Sequence, residues 1–204
     1  MHHDGRVVVF ATRPALAAFL TAGAYWLGTH VGLFLTPTDL AVSLMWPPNA
    51  LLLAGLLLAP VRHWPFYVLA VLPVHLLTQL WHGIPFLTAA GWFVTNVSEA
   101  VIGAFVLRRL RPPHELFQTF VGLLLFLAVG VTGVIALTSL PDVAVVVSTG
   151  MGTGYWDLWC HRFASNALAM LTLVPPIVTI CSSTVTRFRV VRPARYVEAG
   201  LLAL

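Results

Sequence analysis

The chain has no lysine, and charge of any kind is scarce. Only 9% of its 204 residues are charged, and seven of those are acidic, where a soluble domain carries about 25% charge. With 59% hydrophobic residues and a mean hydropathy of +0.90, that scarcity excludes a soluble domain. Cysteine is scarce too: Cys160 and Cys181 share one apolar run, roughly 30 Å apart if that run is helical, too far for a disulfide. No basic patch interleaved with aromatics exists, which excludes nucleic acid as a partner. No two-residue alternation persists over ten residues, which argues against a β-barrel. There is no phosphate-binding glycine loop, no kinase loop, no HExxH and no Ser-His-Asp or Cys-His spacing. These residues therefore carry no assigned catalytic group, metal or cofactor, and the chain is read as non-enzymatic.

What is present is a set of long apolar runs. A bilayer core takes about twenty apolar residues per helix, and six runs qualify: 14–35, 40–59, 64–81, 86–107, 117–140 and 154–181. The first lacks a small-residue cleavage site, so it is read as a retained helix rather than a leader. A shorter run, 143–148, is too short to span and either caps the outer face or extends the fifth hairpin, and Gly150, Gly152 and Gly154 mark a flexible outer loop. Backbone polar groups must be satisfied within the membrane, which makes helices the expected structure. The fold class is thus all-α: a polytopic transmembrane helical bundle with six full helices. Residues 196–204 turn apolar again and read as the start of a seventh helix, cut off. The expected organisation is a cytoplasmic segment 1–13 and a membrane domain 14–204, C-terminally truncated.

The eleven basic residues are all arginine, and ten lie before the first apolar run or in alternate gaps between runs. Arginine resists translocation and collects in cytoplasmic loops, so the N-terminus is expected in the cytoplasm. Only Arg162 lies inside a run.

Polar residues inside the membrane are the default functional candidates. Trp46-Pro47-Pro48-Asn49 in the second run either shapes packing through a kink or opens backbone to line a ligand cavity. Asn96 and Glu99 are three apart and share a helical face; Glu99 either staples helices together or meets a ligand or proton. In the sixth run Trp156, Asp157, His161, Arg162 and Asn166 cluster. There Arg162 could pair Glu99, pair Asp157, meet an anionic ligand or snorkel to the surface. His75, beside Pro73, reads as a satisfied core histidine. Pro47, Pro48, Pro73, Pro175 and Pro176 are expected kinks.

Taken in order, these motifs resemble one family. They are Trp46-Pro47-Pro48-Asn49-Ala50, then Arg62-His63-Trp64-Pro65, then Asn96-Val97-Ser98-Glu99-Ala100 with Leu107-Arg108-Arg109. The Trp156 to Trp159 opening of the sixth run follows, leading through Arg162, Asn166 and Ala167 to Thr172-Leu173-Val174-Pro175. Together they resemble the MASE1 (membrane-associated sensor 1) domain over nearly the whole chain. The resemblance implies about eight membrane helices and a sensory input role in the bacterial plasma (inner) membrane. It also implies a cytoplasmic output domain outside this chain, either a histidine kinase of a two-component system, which is preferred, or a diguanylate cyclase. A homodimer and an unknown small-molecule or protein signal are implied as partners beside the lipid bilayer. The alternative is a fragment of a small-molecule transporter or channel, which would call for matching sites in two halves; no internal repeat is visible.

Overall fold

The computed structural model describes residues 13–37 and 42–182. Among them are six helices and no strand: α1 (Pro14–Phe34), α2 (Pro47–Leu58), α3 (Trp64–Trp81), α4 (Phe86–Leu110), α5 (Phe120–Ser148) and α6 (Tyr155–Ser182). A 3-10 turn, Val61–His63, leads into α3. The expected seventh helix and the segment 1–12 lie outside the described residues.

The helices run alternately up and down. Arg13, Arg62, Arg108, Arg109 and Arg111 fall at one end of the bundle, called here the arginine end. Large apolar side chains cover the outside: Phe19, Leu27, Phe34, Leu77, Leu87, Phe120 and Leu137 are all exposed. In water such a surface would be a liability; in lipid it is the solvent-matched face. Four helices are long and apolar enough to cross a membrane, namely Val61–Trp81, Phe86–Leu110, Phe120–Ser148 and Tyr155–Ser182. Of the six full spans read from the sequence, these four meet that measure; α1, with 21 residues, is not among them, and α2 is too short to span.

α2 has 12 residues, about 18 Å at 1.5 Å per residue, against a hydrocarbon core about 30 Å thick. The expected run 40–59 becomes helical only at Pro47. A residue before proline is driven out of the α region, and Trp46 sits at φ −114°, ψ 85°. Pro47 and Pro48 occupy the first helical turn, where their missing N–H groups would have had no intrahelical partner. They start a helix; they do not kink one. Pro73, Pro175 and Pro176, by contrast, lie inside α3 and α6, which run on through them.

A short helix survives in the membrane only if protein covers it and satisfies its ends. Only Leu51 of α2 escapes full burial, because α1, α4 and α6 pack around it. Its C-terminal carbonyls are capped from two sides. Arg108 Nη1 donates to Leu57 O at 2.7 Å and Ala59 O at 3.0 Å, and Trp64 Nε1 donates to Leu56 O at 3.0 Å. The non-helical stretch before it is held as well: Ser43 Oγ donates to Gly32 O at 2.7 Å, and the Trp46 N–H to Ser165 O at 3.4 Å. The Trp46 ring lies so close to α1 that a Cβ on Gly32 would come within 2.6 Å of it.

α5 extends past the expected end at residue 140. The run 143–148 is its last turns, and Pro141 sits within the helix. The carbonyls around that proline gain outside donors: Trp159 Nε1 to Ala136 O at 3.0 Å and Tyr155 Oη to Leu140 O at 2.7 Å. The middle of α5, Phe126–Val134, is a π-helix, a wide turn often found at functional sites. Gly150 and Gly154 take positive φ in the turn to α6.

Candidate functional site

Four helices project polar side chains to a common point beside the N-terminus of α2. Each of three helices supplies a pair four residues apart, one helical turn, so both members face inward. These are Thr95 and Glu99 on α4, Thr138 and Asp142 on α5, and Arg162 and Asn166 on α6. Asn96 and Asn49 complete the set. The side chains form two layers, one turn apart.

The layer farther from the arginine end is charged. Arg162 Nε lies 2.6 Å from Asp142 Oδ2, and its Nη2 donates to Asp142 Oδ1 at 3.1 Å and to Asn96 Oδ1 at 3.0 Å. Thr95 Oγ1 donates to Asp142 Oδ1 at 2.6 Å. The guanidinium carbon sits 5.6 Å from the Trp46 ring centre, within cation–π range. The layer nearer the arginine end is built around Glu99. Its Oε1 accepts from Asn49 Nδ2 at 2.9 Å, and its Oε2 accepts from Asn166 Nδ2 at 2.9 Å and Thr138 Oγ1 at 3.1 Å. Asn49 Nδ2 also reaches Asn96 Oδ1 at 3.3 Å, linking the layers. Asn49, Asn96, Glu99, Asp142, Arg162 and Asn166 are all buried.

Of the residues singled out in the sequence, Trp46, Asn49, Asn96, Glu99, Arg162 and Asn166 meet here. Trp156, Asp157 and His161 do not: they are exposed, each turned about 100° or more around α6 from Arg162. The partner expected for Arg162 is also corrected. It pairs neither Glu99 nor Asp157, nor does it snorkel outward; its carboxylate is Asp142. Asp142 falls between the apolar runs 117–140 and 143–148, and neither it nor Thr95 or Thr138 stands out as a candidate in the sequence. The four-residue spacing from Thr138 to Asp142 was the signal that could have found it.

His75 is fully buried, and both ring nitrogens are engaged. Its Nε2 is 3.1 Å from Ala89 O, and its Nδ1 is 2.9 Å from Tyr25 Oη. A carbonyl only accepts, so Nε2 carries the proton and Nδ1 accepts from tyrosine. This joins α1, α3 and α4 in the manner of a core histidine.

A cavity of about 210 Å³ opens onto the charged layer from the end opposite the arginines. Arg162, Asn96 and Trp46 line it, with Gln79 from α3, Trp92 from α4 and Val146 from α5.

The fold and this buried network define a helical membrane module whose interior carries charge and whose surface suits lipid. A family model described as MASE1 matches residues 17–202, and the chain belongs to that family of membrane-associated sensory domains. Neither curated proteins nor solved structures give a match.

Proposed function

We propose that this chain is the sensory input region of a bacterial inner-membrane signalling protein, oriented with its N-terminus in the cytoplasm. A signal binds at the charged layer and favours one of two helix packings. The change passes along α2, α4, α5 and α6 to a cytoplasmic output domain, a histidine kinase in preference to a diguanylate cyclase. Family membership supports the sensory role, and the arginine distribution supports the orientation.

The observation that carries the reading is the two-layer network itself. Four helices are bound to one another through Glu99 and the Asp142–Arg162 pair, so a ligand that competes for one of these contacts acts on all four at once. A ligand shifts such an equilibrium only by its differential affinity for the two states. α2 is suited to carry the shift, since its N-terminal turn supplies Asn49 to the network and its C-terminal carbonyls are held by Arg108 near the arginine end.

The test is substitution in the full-length protein. Glu99→Gln or Arg162→Ala is expected to lock or abolish output while the protein still inserts into the membrane. Unchanged signalling from both variants would remove this network from the sensing site.

A further inference from the structure

A second concavity lies apart from the polar network. It is a groove of about 740 Å³, and every residue lining it belongs to α1 or α3, two helices packed directly against each other. Small side chains shape it: Ala15, Ala18, Ala22 and Gly23 on α1 and Ala70 on α3, with the larger Phe66 beside them. A Cβ added at Gly23 would meet nothing within 4 Å, so the groove is open there. Within a bilayer such a gap is filled by hydrocarbon, because an empty one leaves its lining without dispersion partners.

The groove has a direction. Its α1 lining runs from Ala15 to Trp26, about 17 Å of helix at 1.5 Å per residue, close to the depth of one leaflet's hydrocarbon, about 15 Å. It begins at the arginine end and stops near the middle of the bundle. Two cations stand at its beginning. Arg13 immediately precedes α1, and Arg62 lies in the 3-10 turn that leads into α3. Both are exposed, and neither has a carboxylate within salt-bridge distance among the described residues. Arg62 Nε donates to the neighbouring His63 Nε2 at 3.3 Å. Arg108 and Arg111, by contrast, are committed to α2 carbonyls and to Glu115. No side chain caps the N-terminus of α1, whose positive dipole end adds to the attraction for an anion.

Charge and depth together select the occupant. A free phosphate would meet the arginines and leave the apolar slot unfilled. A neutral lipid would fill the slot and leave the arginines without a counter-ion. We propose that the groove between α1 and α3 is a binding site for an anionic phospholipid of the leaflet at the arginine end. Its phosphate lies between Arg13 and Arg62, and one acyl chain runs along Ala15, Ala18, Ala22 and Gly23. Basic pockets between membrane helices recognise acidic head groups in this way.

The experiment is native mass spectrometry of the full chain released from nanodiscs of equimolar palmitoyl-oleoyl phosphatidylglycerol and phosphatidylcholine. One retained phosphatidylglycerol per chain is expected, enriched about tenfold or more over phosphatidylcholine, since each nearby arginine favours an acidic lipid about fivefold. Arg13→Gln together with Arg62→Gln should bring the two lipids level, whereas Arg109→Gln, at the same end but on α4, should leave the enrichment intact. Gly23→Leu places a side chain in the open groove and should cut retention of either lipid severalfold with the thermal midpoint unchanged. Equal retention of the two lipids by the unaltered chain would overturn the proposal. So would an Arg109→Gln loss as large as that of the Arg13 and Arg62 pair, which would mean a diffuse positive field with no site. Retention by this chain but not by the full-length protein would show that another helix fills the groove, and would overturn it as well.

Discussion

Asp142 and Glu99 are both buried carboxyl groups, one helical turn apart in the same bundle, and they are handled in opposite ways. Asp142 is met by a guanidinium in a two-point contact and by one hydroxyl. Glu99 has no cation within salt-bridge distance among the described residues and is surrounded by neutral donors from three other helices. The first arrangement is a charge pair, whose partners depend on each other absolutely. The second is a distributed amide and hydroxyl cage, in which each donor carries a fraction. The lesson is that burial of an acid does not by itself specify a counter-ion. Placement relative to the helices that can supply one decides it.

The largest break in this comparison is Arg162→Ala, which leaves Asp142 buried without its cation. Removing one member of such a pair costs about 3–5 kcal/mol, so a large drop in thermal midpoint of the purified protein is expected. The double variant with Asp142→Ala should recover much of that loss. If the double variant is as unstable as the single, the pair is not the unit described here.

Glu99→Gln should cost far less, about 1 kcal/mol or under, in line with hydrogen bonds between membrane helices. The amide keeps one acceptor oxygen. Its new N–H groups can be accepted by Asn49 Oδ1 or Asn166 Oδ1, both unpartnered at present, after a half-turn of either amide. Denaturant unfolding of the two variants side by side measures the difference; equal losses for Glu99→Gln and Arg162→Ala would erase the distinction between cage and pair.

Smaller still is Thr138→Val, an isosteric change that deletes one donor to Glu99. It should lower stability by about 0.6 kcal/mol, and a loss comparable with Arg162→Ala would show that the cage is not distributed. The smallest effect belongs to Asp157→Asn and His161→Gln. Both sit on the exposed face of α6, and each should change stability by no more than about 0.5 kcal/mol. A large loss from either would mean that this face is covered in the membrane.

Much of this was legible beforehand. Glu99, Asn49, Asn96, Arg162 and Asn166 stand out because a polar side chain in an apolar run is costly and therefore placed with purpose. Thr95 and Thr138 do not stand out, since a threonine satisfies itself on its own helix; Thr138 also bonds Val134 O at 2.9 Å. Asp157 and His161 are near Arg162 in sequence only. The buried face of α6 instead runs Leu158, Arg162, Ser165, Asn166, Ala169, a helical stripe that excludes 157 and 161. The sequence shows such a period, but with polar residues on more than one side of α6 it does not show which stripe faces protein.

The chain's order of amino acids determined the solvent it lives in, the helical state of its apolar runs and the arginine end of the bundle. These follow from local quantities: transfer free energy, backbone satisfaction and the cost of moving a cation through lipid. Only the tertiary structure decided that the second helix is a short buried piece, that Asp142 belongs to α5 and holds Arg162, and that Glu99 is caged by amides. Those outcomes depend on which faces of separate helices meet, and that is set by packing between residues 20 to 67 positions apart.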